Sequence, residues 1–182
     1  MPALALPDLS ALPKTGPLFW KAARSARRKP GDSPTIPANA VTLKGFTLQA
    51  EHIAAYNAVC QLPADTLAIT YPQVVAAPLH MHVMVQANFP LPLVGLVHLR
   101  NRITQHQLMS AGKPYDVQVQ VGEARRTGLG IEVDLLTDYL DGGKVVWAAV
   151  TTVLHRIKAT QRGSKVMAPP PPAVTAHYLD RK

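Results

Sequence analysis

Apolar residues along this chain recur at two spacings, and each change of spacing marks an element. From Val41 to Thr47 the side chains alternate, with Val41, Leu43 and Gly45 against Thr42, Lys44 and Phe46, which predicts a short strand weakened at its end by a glycine. A helix is expected next. Thr47 is placed to cap it, Glu51 falls in the first turn where the helix dipole favours an anion, and Ile53, Tyr56 and Cys60 recur at helical spacing before Pro63 ends the run. Cys60 is assigned to packing. The stretch from Ile69 to Gln107 is weakly charged and holds four of the seven histidines. Within it, Leu79, Met81, Val83, Met84, Val85 and Ala87 predict a helix of about eleven residues that begins at Pro78 and stops before Phe89-Pro90. Being apolar on every side it needs protein around it, and it is too short to span a bilayer.

The two-residue period returns from Gly95 to Thr104, where Val97, Leu99, Asn101 and Ile103 oppose Leu96, His98, Arg100 and Arg102. Ala111-Gly112-Lys113-Pro114 reverses the chain. Val117, Val119 and Val121, then Ile131, Val133 and Leu135, each alternate with polar neighbours and predict half-buried antiparallel strands. Asp141-Gly142-Gly143 is a hairpin signal, and Lys144 to His155, apolar on both faces, belongs at the centre of the sheet or at an interface. Strand, helix, irregular segment, buried helix and a four-strand meander make an α+β domain. In it a curved antiparallel sheet wraps around a long buried central helix, the hotdog arrangement. Three regions are expected: a basic, proline-rich N-terminal arm over residues 1–40, the hotdog domain over 41–157, and a basic, proline-rich tail over 158–182.

Charge changes this picture only at the ends. The chain of 182 residues has a formal net charge of +8, which by itself suggests a nucleic-acid partner. Between Ala40 and Ile157, however, Lys44, Arg100, Arg102, Lys113, Arg125, Arg126, Lys144 and Arg156 are matched by Glu51, Asp65, Asp116, Glu123, Glu132, Asp134, Asp138 and Asp141. The excess lies in the arm, around KAARSARRK, and in the tail, so a basic groove in the folded core is not expected. The arm is read as a solvated segment with one aromatic anchor, from Leu18, Phe19 and Trp20, on its own domain; its alternative is a contact with a membrane surface. A single cysteine, Cys60, makes no internal disulfide, and no leader peptide opens the chain, so the expected location is the cytoplasm.

Three segments carry a resemblance. TYPQVVAAPLHMHVM, FPLPLVGLVHLRNRI and GGKVVWAAVTTVLHR, spread over residues 41–157, resemble the N-terminal, non-catalytic hotdog half of double-hotdog MaoC-like (R)-specific acyl-thioester dehydratases and hydratases. The resemblance implies a lyase chemistry, 3-hydroxyacyl dehydration or enoyl hydration, on acyl-CoA or acyl carrier protein, with no cofactor and no metal. It implies an acyl tunnel lined by Tyr71, Pro72, Val75, Leu79, His80 and Met84. The family's catalytic motif is Asp-x-x-x-x-His, because one group must take the proton beside the thioester carbonyl while another protonates the departing hydroxyl. No aspartate here has a histidine five residues on; the acid in the expected region, Asp65, is followed at that distance by Thr70. The chain is therefore expected to work as a non-catalytic subunit in a heterodimer with a catalytic hotdog subunit. A homodimeric dehydratase or thioesterase with an atypical active site is the alternative, and a basic-tailed binder of nucleic acid or anionic membrane is the third.

The histidines offer weak chemistry. His80 and His82 are the candidates for catalysis, but two positions apart on a helix they diverge by about 200° and cannot meet on one atom. A buried histidine bonded to the backbone is the simpler role for each. His98 and Arg100, which share a strand face with Arg102 in this reading, and Arg125 and Arg126 near Gly128 are the candidate contacts for a coenzyme A or carrier phosphate. His52, His106, His155 and His177 are read as structural or solvated. A thioesterase would need a carboxylate or glutamine near the central helix, and Gln73 and Gln86 are the candidates there.

Overall fold

Antiparallel pairing of four long strands dominates the structure, a computed structural model that describes residues 7–31 and 34–157. The elements in chain order are β1 (Asp8–Leu9), α1 (Thr15–Ser25), β2 (Ala40–Thr47), α2 (Ala50–Cys60), α3 (Tyr71–Met84), β3 (Val97–Gln105), β4 (Pro114–Thr127), β5 (Gly130–Asp141) and β6 (Lys144–Arg156). They form one six-stranded sheet in the order β1-β2-β4-β5-β6-β3, with β1 parallel to β2 and every other pair antiparallel. The sheet curls around α3. Its inner face carries Val117, Val119 and Val121 of β4, Ile131, Val133, Leu135 and Tyr139 of β5, and Trp147 and Ala149 of β6, all buried. Tyr139 Oη donates to the Pro72 carbonyl at 2.8 Å and Trp147 Nε1 to that of Ile69 at 2.9 Å, so the two largest inner side chains hold the first turn of α3 on the sheet.

The expected α+β hotdog is what forms, with several corrections inside it. The central helix starts seven residues earlier than the proline signal suggested, at Tyr71, with Pro72 in its first turn and Pro78 inside it. Pro78 removes one internal hydrogen bond, a loss of roughly 3 kcal/mol in an isolated helix, but burial of this helix against the sheet outweighs it. Its end comes early, at Met84, because Arg28 takes the terminal carbonyls. The guanidinium donates to the carbonyls of Met84, Val85, Gln86 and Leu91 at 2.8 to 3.1 Å. Met84 and Val85 carry acceptors that a helix end leaves unpaired, and a cation there suits the dipole.

Arg28 reaches that point because the supposed arm is folded. α1 packs Leu18 and Ala22 against Val85, with Met81 and Leu93 alongside. Ser25 Oγ donates to the Ala22 carbonyl and accepts from Leu93 N–H. The expectation of a solvated segment fails here, since a helical turn brings together apolar residues that look scattered in the chain. In α2, Gln49 rather than Thr47 precedes the helix, and Cys60 is exposed rather than packed. The buried position goes to Asn57, whose amide donates to the carbonyls of Pro63 and Thr66 and so ties down the following loop.

The last four strands are not a simple meander. β4, β5 and β6 follow one another, but β3 pairs with β6 on the far edge. The alternation expected in β3 is broken by a bulge, since His98 opposes Val153 while Arg100 opposes Thr152. Leu99 is the extra residue, and it puts His98 on the inner face and Arg100 on the outer one. Glycines serve two turns: Gly142 and Gly143 take positive φ in the β5–β6 hairpin, and a Cβ on Gly130 would lie 2.0 Å from the His155 carbonyl oxygen. Among the described residues no helix is long and apolar enough to cross a membrane. The expectations for Lys158 to Lys182, including the polyproline spacer and His177, fall outside the described residues.

Candidate functional site

α3 has apolar residues all round, but only part of it is covered. Tyr71, Pro72, Ala76, Leu79 and Val83 face the sheet and are buried, with Val75 partly buried beside them. A turn away, Gln73, Val74, Ala77, His80, Met81 and Met84 line an open groove of about 660 Å³. Phe19 and Ala22 of α1 form one wall, Leu93, Val94 and Leu96 another, and His98, Leu135, Thr151 and Val153 the floor and the sheet side. No carboxylate is among its lining residues. Val74 is 52 % exposed and Val94 59 %, so apolar surface is left uncovered beside β3, the outer strand of the sheet.

The groove's polar groups are few and mostly paired. His80 is 6 % exposed, and its Nε2 shares a hydrogen bond of 2.7 Å with Thr137 Oγ1. Burial, with a smaller contribution from His98, lowers its pKa to about 4, so the ring is neutral at pH 7. Gln73 Nε2 donates to Thr151 Oγ1 at 2.8 Å, and that hydroxyl donates to Asn101 Oδ1 at 3.2 Å. Gln73 Oε1 is buried without a partner among the described residues, and it is an acceptor that a ligand N–H can satisfy. Thr137, Thr151 and Asn101 escaped the sequence reading. Their signal is a polar residue in an inward register that is otherwise apolar, as Thr137 stands between Leu135 and Tyr139.

The predicted tunnel residues divide between groove and core. His80 and Met84 line the groove; Tyr71, Pro72, Val75 and Leu79 lie on the sheet side of α3, and the Tyr71 ring sits 5.3 Å from that of Tyr56, tilted by 60°. His82 faces away from the groove, into a cleft with Lys21, Asn39 and Gln86. Burial and the charge of Lys21 lower its pKa. The two histidines therefore do not converge. Among the described residues no three His, Cys, Asp or Glu side chains are grouped to hold a metal ion.

No protein-family model matches the sequence. The chain is 31 % identical over 147 residues to 3-hydroxyacyl-thioester dehydratase X of Mycobacterium tuberculosis, a match covering 76 % of this chain and 52 % of that protein. A crystal structure of HtdX from the same organism superposes with a TM-score of 0.61 at 31 % identity, over 65 % of this chain and 51 % of the other. The fold is a hotdog, shared with HtdX. The C-terminally truncated HadBC complex, a 3R-hydroxyacyl-ACP dehydratase of M. tuberculosis, shares this fold with a TM-score of 0.57 at 15 % identity, over 69 % of this chain and all of that one. The chain spans about half the length of the curated relative it matches.

Within this hotdog the candidate phosphate contacts are also separated. His98 lines the groove. Arg100 and Arg125 lie on the outer face of the sheet, where both donate to Glu132, at 2.9 and 2.8 Å, and Arg125 also grips Asp134 at 2.8 and 3.2 Å. Although burial pulls the other way, Arg125 and Thr152, whose hydroxyl donates at 2.6 Å, hold the Asp134 carboxyl below its usual range. Arg126 is exposed on β4, opposite Ile131. The outer face of this hotdog thus carries an internal charge network, while the groove is apolar and nearly uncharged.

Proposed function

We propose that this chain is an acyl-thioester-binding unit of a 3-hydroxyacyl-thioester dehydratase or enoyl hydratase, with the acyl chain lying in the groove beside α3. The observation that carries the reading is the uncovered apolar flank of α3, since a helix apolar on all sides needs an occupant on each of them. A groove of this size suits an alkyl chain, and Gln73 Oε1 offers one acceptor for an amide of the carrier arm. The identity to 3-hydroxyacyl-thioester dehydratase X supports the substrate class.

The same groove supplies no acid and base. His80 is neutral, bonded to a threonine and without a carboxylate beside it, and the Asp-x-x-x-x-His spacing is absent. We therefore infer that the chain pairs with a catalytic hotdog unit, its β3 edge, unpaired among the described residues, and the exposed Val74 and Val94 facing that partner, because an unpaired edge strand beside apolar surface favours association. The HadBC complex is an assembly of this fold.

Co-expression with hotdog subunits that bear Asp-x-x-x-x-His tests the pairing by co-purification and by hydration of an enoyl-CoA. A stable complex in which enoyl absorbance falls without release of free thiol is expected. Thiol release would indicate a thioesterase instead. If no complex forms and the chain neither binds nor converts an acyl thioester, the reading is wrong.

A further inference from the structure

The outward face of α1 has no role in the fold. Leu18, Ala22 and Ser25 turn inward, and Arg28 anchors the end of the segment on α3, so the remaining face is held in a fixed orientation. Trp20 and Arg24 lie one helical turn apart on α1, Arg27 follows in the turn just past its end at Ser25, and all three are exposed, Trp20 by 67 %. Phe19, 63 % exposed, lies on the flank that lines the groove. Lys21 and Lys29 add charge, and no acidic residue occurs between Lys14 and Lys29. Among the described residues none of Lys21, Arg24, Arg27 and Lys29 enters an ion pair.

Resting on the acyl-binding role given above, we propose that this face of α1 docks an acidic acyl carrier protein and thereby delivers its acyl chain into the groove. Trp and Arg are the residue types that dominate protein interfaces, and clustered basic charge speeds encounter with an acidic partner. Phe19 makes the patch continuous with the groove, so a carrier seated on Trp20, Arg24 and Arg27 lies beside the place where its cargo binds. Lipid is the poorer occupant: the apolar side of α1 is spent on α3, and beyond it only Trp20 and the flanking Phe19 are exposed aromatics, beside arginines, too little apolar area to enter a bilayer. Nucleic acid fits less well too, because the basic surface is one helix long and the adjoining core is neutral.

The test uses the full chain and one acyl group attached either to an acidic acyl carrier protein or to coenzyme A. Arg24→Gln combined with Arg27→Gln, and separately Trp20→Ala, change exposed residues, none of which lines the groove. At low salt the double variant should associate with the acyl carrier protein about tenfold more slowly, with a weaker salt dependence, while its affinity for acyl-CoA stays that of the wild type. Equal weakening of both ligands, or carrier binding untouched by either variant, overturns the proposal while leaving the groove's role intact. Loss that appears only for vesicles of anionic phospholipid, or only for duplex DNA, overturns it in favour of those surfaces. Wild-type protein that binds neither acyl ligand removes the groove reading and this proposal together.

Discussion

The two sides of α3 carry similar apolar residues and have opposite fates. On the sheet side, Leu79 and Val83 are closed in by β4 and β5; on the groove side, Val74 and Ala77 have the same character and stay exposed among the described residues. Packing accounts for the first set; the second has no partner in the core, which makes it available to a ligand or partner. The two histidines repeat the contrast, since His80 borders the groove while His82 lies on the far flank near Lys21. Residue type did not distinguish these sides; angular position on the helix did.

Mutation can break this contrast. Leu79→Ala, on the closed side, should cost about 2–5 kcal/mol in a urea melt, because Leu79 is fully buried and the cavity cannot collapse freely. A loss well under that would mean the sheet side is looser than its burial indicates.

The pH dependence comes next in size. His80 has its pKa lowered to about 4 in the folded state, against about 6.5 in an unfolded chain. The unfolded chain therefore binds the proton first, so the stabilisation is complete above pH ~6.5 and is lost as pH falls toward 4, by on the order of 3 kcal/mol. His82 and His155, both lowered chiefly by burial, add in the same direction. Urea melts between pH 7 and 4 should show this slope, and His80→Gln, which cannot titrate, should flatten it. An unchanged slope would assign the acid loss to other groups.

Arg28→Met should cost about 2 kcal/mol, since it leaves helix-end carbonyls without their charged donor. Hydrogen exchange should speed up in α1 and at the end of α3 while β4 and β5 keep their protection. The smallest stability effect is expected on the open side. Ala77→Phe should change stability by less than about 1 kcal/mol, yet it fills the groove and should weaken acyl-thioester binding by at least about tenfold. If binding survives, the acyl chain lies elsewhere.

Much of the sheet could be read along the chain. The alternation in β4 and β5, the Gly142-Gly143 turn and the doubly apolar β6 all follow from period two and from turn chemistry, which act between near neighbours in sequence. Less was legible where a distant contact decides. The sequence pattern alone starts α3 at Pro78, because proline counts as a first-turn residue as long as the stabilising burial around it is unknown. The mixed placing of His98 and Arg100 depends on one extra residue, Leu99, which alternation cannot reveal. The groove itself needs Phe19 and Ala22 from α1, more than fifty positions before Gln73 and His80, and nothing local in KAARSARRK announces that Arg28 will end another helix.

The sequence by itself determined the kind of domain, the neutrality of its core and the absence of the Asp-x-x-x-x-His pair, because composition, period and spacing are properties of the chain. Tertiary structure alone decided which side of the central helix is open, which polar groups meet there and where the basic segment lies. Those depend on how elements far apart in the chain pack against one another, and packing chooses among faces that the apolar pattern leaves equivalent.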